Sequence, residues 1–367
     1  MIPHRFLIMV LCSLLLQACT KPEPLRIGFI GGLSSQNLDN GQSGLNGVKL
    51  AVDQANRAGG IEGRPIELLI RDDAQNPATA EAAARDLARQ GVEAVIGPFT
   101  SSMAAAILPV LEEKQILLVS PTITAMAFHG KDDHLIRINR TTRDNANDYA
   151  AMLMQRGLPR VAVAYDLRNR TFTESWLSEF RQASERFGNR IVTEVAYTSD
   201  EHADFAEVAR RLLADKPDIL FFISGAHDVA RLAREARLRA PGIPLAAAEW
   251  AATDGLLQLG GDVVEGLLIV HNFNQDDDSP RYRAFSDAHF QRFQKRPAYS
   301  TVSAYDATTV VIEALKQRRT GQRLKAALLA GHPYPGLQQE IVFDANGDTT
   351  RKIHFTEIRS GKYQRIH

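Results

Sequence analysis

From Leu25 onward, short apolar runs alternate with longer stretches whose apolar residues recur at helical spacing. LRIGFIG (25–31) reads as a strand, GLNGVKLAVDQANRAGG (44–60) as a helix, IELLIRDD (66–73) as a strand, and PATAEAAARDLARQG (77–91) as a helix with a glycine stop. EAVIG, a further helix and ILLVSP continue the series. The alternation breaks at HLIRINRTTRDNANDYA (134–150), then resumes with RVAVAYD, a helix over 174–187, RIVTEVAY, a helix over 205–213, DILFFIS, a helix over 229–239 and IPLAAAE. Runs apolar on both faces and separated by helices predict parallel sheets covered on both sides. Two such series in succession predict two α/β lobes, and the lack of a Gly/Ser- or Pro-rich tract between them predicts a hinge of short crossovers.

Ligands of open α/β sheets collect beyond the carboxyl ends of the strands, beside helix N-termini. That rule selects Ser34, Ser35, Asp72, Asp73, Thr100, Ser101, Ser102, Thr122, Thr124, Asp166, Ser224 and Glu249. The hydroxyls after VIGPF and after ILLVSP suit a carboxylate held at a helix N-terminus, and they equally suit helix capping. Glu249, beside Trp250, follows a strand of small apolar residues, where a carboxylate wants a cation or serves as a cap or salt-bridge partner. Hydroxyls in one lobe and a carboxylate in the other together fit a zwitterion such as an amino acid.

Composition narrows the classes. The 367 residues fill more than one core, and 43 basic residues balance 43 acidic ones without a basic stripe, which argues against nucleic acid as a partner. Residues 1–18, MIPHRFLIMVLCSLLLQA, have a basic start, an apolar run too short to span a membrane and a small residue before the cut, the pattern of an export signal. LQAC (16–19) resembles the bacterial lipobox, which implies a lipid anchor on Cys19 and a tether over 19–24. The other cysteine, Cys12, lies in the segment to be removed, so no internal disulfide is expected.

Catalytic signals are missing: there is no GxSxG, HExxH, CxxC or P-loop pattern, and GFIGGLSS lacks dinucleotide spacing. His227 is the histidine to inspect as a base, and it reads better as a helix start. HGKDDH, with His129, Asp132, Asp133 and His134, sits in a polar loop, and DDDSP (276–280) reads as a turn and helix start. No enzyme activity, cofactor or metal is expected.

The ordered set IGFIGGLS, AVDQANRAGGIEGRPIELLIRDDAQNP, AVIGPFTSS, ILLVSPTIT, RVAVAYD, DILFFISG, EGLLIV and SAYDAT resembles the type I periplasmic binding proteins of the leucine/isoleucine/valine-binding family over residues 25 to about 357. The resemblance implies two Rossmann-like lobes joined by three crossovers, with residues 25–141 and 273–350 in one and 142–272 and 351–367 in the other. It implies a monomeric solute-binding lipoprotein of the bacterial envelope, facing the periplasm from the inner or outer membrane. The expected partner is the membrane part of an ATP-binding-cassette (ABC) importer. By motif, Ser101 and Thr124, with the main chain at Thr122, hold a ligand carboxylate, and Glu249 holds its ammonium; Ser102, Ser224 and Trp250 complete the expected site. Two aromatic walls of such sites are replaced near Asn40 and Gly225, and DLRNRTF brings in Arg168 and Arg170, which read as exposed loop residues. A non-transport regulator on the same fold, binding a protein partner, is the alternative.

Overall fold

The structure is a computed structural model that describes residues 22–34, 39–331 and 333–366, the side chain of Asp39 excepted. The leader, Cys19 and Ser35 lie outside the described residues.

Five strands form the first sheet: β1 (Leu25–Gly31), β2 (Ile66–Asp72), β3 (Ala94–Ile96), β4 (Leu117–Ser120) and β5 (Leu135–Arg137). They are all parallel, in the order β2-β1-β3-β4-β5. Its two faces are buried as the continuous apolar runs require. Helices Asp39–Arg57 and Tyr299–Gln317 cover one face, and helices Pro77–Arg89 and Ser101–Glu113 cover the other.

Five parallel strands begin the second sheet, β6 (Arg160–Asp166), β7 (Arg190–Tyr197), β8 (Ile219–Ile223), β9 (Leu245–Ala247) and β10 (Leu268–His271), in the order β7-β6-β8-β9-β10. All five residues of β8, ILFFI, are buried. Helices Thr142–Gln155 and Arg170–Phe187 pack on one face and helices Phe205–Leu213 and Ala226–Arg239 on the other. A short antiparallel ribbon, β11 (Tyr334–Pro335) and β12 (Glu340–Ile341), joins the first core. The chain then adds β13 (His354–Arg359) and β14 (Lys362–Arg365) antiparallel beyond β10. The parallel pattern does not predict this closing hairpin.

The chain passes between the sheets three times: after β5, after β10, and between β12 and β13. The first crossing ends in a capping box, in which Thr141 Oγ1 accepts from Asp144 N–H while Asp144 accepts from the Thr141 N–H and hydroxyl. That box fixes where the second lobe starts. The hinge is thus built from three ordered segments, and the carboxyl ends of both sheets face a common cleft.

Candidate functional site

β3 leaves the first sheet through Gly97, at φ +116°, where a Cβ would stand 2.0 Å from the Ile30 carbonyl oxygen. Only glycine lets the chain pass that close to β1. The turn delivers Phe99, Thr100 and Ser101 to the mouth of the sheet. Thr100 occupies the N-cap of the helix Ser101–Glu113 with extended backbone, yet its hydroxyl makes no capping bond and is buried without a partner among the described residues. The helix therefore presents N–H groups that its own cap leaves free.

One of them is used across the cleft. Ser102 N–H donates to Asn169 Oδ1 of the second lobe at 3.1 Å, and Thr171 N–H donates back to Ser102 Oγ at 3.1 Å. The N-termini of two helices, one from each lobe, are thereby clasped to each other. Met126 N–H adds a bond to Ser175 Oγ at 2.9 Å.

Glu249 opens a single 3-10 turn after β9, whose residues Leu245, Ala246 and Ala247 are wholly buried. Glu249 is 3% exposed. Oε2 accepts the Trp176 indole N–H at 3.0 Å, and Oε1 accepts the Thr124 hydroxyl at 3.4 Å from the opposite lobe. No basic side chain pairs with it among the described residues; Arg140, whose field reaches it, is itself paired with Asp148 at 2.8 Å. Burial pushes the Glu249 carboxyl above the usual range against the opposing pull of its hydrogen bonds.

Between these groups lies a narrow cleft. Phe99, Phe172, Trp250 and Tyr299 wall it, and Asn40, Thr100, Ser101, Thr122, Asn169 and Glu249 supply its polar groups. Phe172 and Trp250 meet edge-on with ring centres 6.0 Å apart. An apolar box with a few convergent polar groups and one carboxylate is the make-up of a small-molecule site.

A model of the family described as periplasmic binding protein matches residues 24–362. The chain belongs to the periplasmic binding proteins. Among its relatives, the Leu/Ile/Val-binding protein BraC3 of Rhizobium johnstonii is 26% identical over 333 residues, 89% of each chain. The leucine-, isoleucine-, valine-, threonine- and alanine-binding protein of Pseudomonas aeruginosa is 23% identical over 89% of this chain and 87% of its own. Two solved structures share the fold: the Streptococcus pneumoniae protein LivJ in complex with isoleucine (TM-score 0.86, 21% identity, 93% and 98% of the two chains) and a solute-binding protein of R. palustris in complex with benzoate (TM-score 0.84, 18% identity, 94% and 95%).

In this periplasmic binding protein, Ser101, Thr122, Glu249 and Trp250 line the cleft. The Thr122 hydroxyl is already donated to the Phe99 carbonyl at 2.9 Å, which leaves the main chain of that turn for a ligand. Ser102 and Thr124 sit at lobe-to-lobe contacts beside the cleft. Ser224 is a correction: it stands outside the cleft, fully buried, with its hydroxyl 2.5 Å from Tyr197 Oη. Tyr197, Ser199 and Arg168 hold Asp228, and Arg168 also pairs with Asp166 at 2.8 Å, so these strand-end residues form a closed polar network. Both arginines are exposed, as expected: Arg168 buttresses the loop that carries Asn169, and Arg170 pairs with Glu174.

The HGKDDH loop does not converge on a point. His129 pairs with Asp348, Asp132 with Lys325, and Asp133 accepts from Leu135 N–H. No group of three or more potential metal ligands occurs among the described residues. At the end of β2, Asp72 accepts from Leu33 N–H and Ala74 N–H, and Asp73 from Gln75 N–H, so both carboxylates shape turns. Sequence reasoning missed Asn169, Phe172, Phe99 and Tyr299 as cleft residues. The first two stand in DLRNRTF, where the arginines drew attention; Tyr299 follows no strand and carries no local signal.

Proposed function

We propose that this binding protein captures a small zwitterion, an amino acid, between its lobes and passes it to the membrane subunits of an ABC importer, without performing chemistry. One observation carries the reading: Glu249 is a buried carboxylate with no basic partner among the described residues, in a cleft that also holds a helix N-terminus its own Thr100 does not cap. An unpaired buried carboxylate is costly, and an arriving ammonium removes that cost. The ligand's own carboxylate then meets the positive end of the helix Ser101–Glu113. A ligand touching both lobes favours the closed state by its differential affinity for it. The amino acids for which these relatives are named support an amino acid as the ligand. A benzoate, as bound by one structural neighbour, would leave Glu249 without its cation. Anchoring through Cys19 on the periplasmic side, as a monomer, belongs to the same proposal.

Calorimetric titration of the chain from Thr20 tests it, with each amino acid paired with the acid that lacks the amine. Binding by the amino acid alone is the expected result. Equal binding by the amine-free acid refutes the zwitterion. Silence from every amino acid, with an envelope protein recovered by cross-linking to the cleft face, transfers the case to the regulator.

A further inference from the structure

The order of strands fixes how an amino acid lies in the cleft. In the first sheet β1, β3 and β4 are successive neighbours, so Asn40 after β1, Thr100 and Ser101 after β3, and Thr122 after β4 follow one another along its edge. Glu249 touches Thr124, beyond β4, while Asn169 touches Ser102, beyond β3. The ammonium end therefore belongs at β4 and the carboxylate at β3. What remains for the ligand's side chain is the end toward β1.

That end, bordered by Asn40 after β1 and by Thr100 on the near side of β3, is polar and unsatisfied among the described residues. Asn40 Oδ1 and Thr100 Oγ1 are both sealed from solvent and have no hydrogen-bond partner among the described residues. Thr100 as a whole is 6% exposed and, although it stands at an N-cap, does not cap its helix. A buried acceptor left unmade is penalised, and nearly all such groups in folded proteins are satisfied. An aliphatic side chain beside them would keep both oxygens unpartnered. A hydroxyl or carboxamide would satisfy them, and Thr100 can both donate and accept.

Resting on the amino-acid reading, we infer that the side-chain subsite formed by Asn40 and Thr100 selects amino acids with a short neutral hydrogen-bonding side chain, a hydroxyl or an amide, over aliphatic ones of equal shape. The discrimination comes from the desolvated oxygens, because a site built to hydrogen-bond a group rejects the isostere that lacks it far more strongly than an apolar site rejects an added hydroxyl.

Two near-isosteric pairs test this by calorimetry: L-threonine against L-valine, and L-asparagine against L-leucine. The polar member of at least one pair is expected to bind about tenfold tighter or more. In Asn40→Leu and Thr100→Val that ratio should collapse toward one or invert, with circular dichroism and urea unfolding showing that the variants are folded. Valine and leucine matching or exceeding their polar partners in the parent protein would overturn the inference and leave the amino-acid reading standing. Silence from all four, and from the wider amino-acid panel, would overturn both.

Discussion

Exchanging Glu249 for glutamine separates what the carboxylate does for the ligand from what it does to the fold. The amide keeps the shape and one acceptor oxygen, for the Trp176 N–H, and places its NH2 at the Thr124 hydroxyl, which turns from donor to acceptor, so both contacts survive and the charge is removed. Removing one member of a buried, hydrogen-bonded charge pair costs about 2–5 kcal/mol. At 1.4 kcal/mol per tenfold, the dissociation constant should rise by roughly 30-fold to a few thousand-fold. The ligand-free protein should respond in the opposite direction. Burial raises the Glu249 carboxyl above its ordinary 4.5, so between that value and the folded one the native state binds more protons than the unfolded chain. Stability then falls as pH rises through the window, and the loss is complete above it. Glu249→Gln should abolish this contribution and be more stable than the parent at pH 7 without ligand. Calorimetry gives the affinity, and urea unfolding from pH 4.5 to 8 gives the stability. An affinity within threefold of the parent, or a variant less stable at pH 7 with an unchanged pH slope, would refute the reasoning.

Asn169→Ala removes the acceptor of the Ser102 N–H, a neutral hydrogen bond worth about 1 kcal/mol net, so the closed-to-open ratio should drop about fivefold. Small-angle scattering of the ligand-free protein should show a larger radius, and an unchanged radius at equal ligand affinity would count against the clasp. Asp73, fully buried, has its carboxyl raised to about 6 chiefly by desolvation. Its contribution to stability therefore declines as pH climbs from about 4 through 6; Asp73→Asn should flatten that decline and raise the urea midpoint at pH 7, and a midpoint that falls would contradict it.

The two-lobe architecture was legible because parallel sheets impose it on every strand. Runs such as ILFFI and LLVS must be apolar on both faces, and the helices between them must be amphipathic. The C-terminal hairpin escaped that logic because antiparallel strands at a sheet end carry no crossover helix to announce them. Helix starts show where locality fails. The helix expected from residue 174 begins at Arg170, since Thr171 N–H finds its acceptor in Ser102 of the other lobe, 69 residues away. Asn169 at the N-cap makes no cap bond of its own, its oxygen being given to Ser102. Each half of the clasp looks incomplete when read alone.

The same contrast divides the cleft itself. In the proposed function, recognition of a ligand's charged ends rests on a helix N-terminus and on a carboxylate after a strand, positions that the sheet order dictates and that Ser101 and Glu249 therefore betray in sequence. Ser224 satisfies the same positional rule and fails it in space, because Tyr197 and Asp228 close around it. The side-chain end depends on which loop residues turn inward, and that is decided by packing among segments near 40, 100, 170, 250 and 299. Asn40 and Asn169 illustrate the division of labour. The oxygen of Asn169 is spent on holding the lobes together, whereas that of Asn40 has no partner among the described residues. Loss of the first should therefore weaken every ligand alike through closure, and loss of the second should re-rank ligands with closure intact. A fold that fixes its charged contacts and leaves such positions to loops can change its solute without changing how it closes.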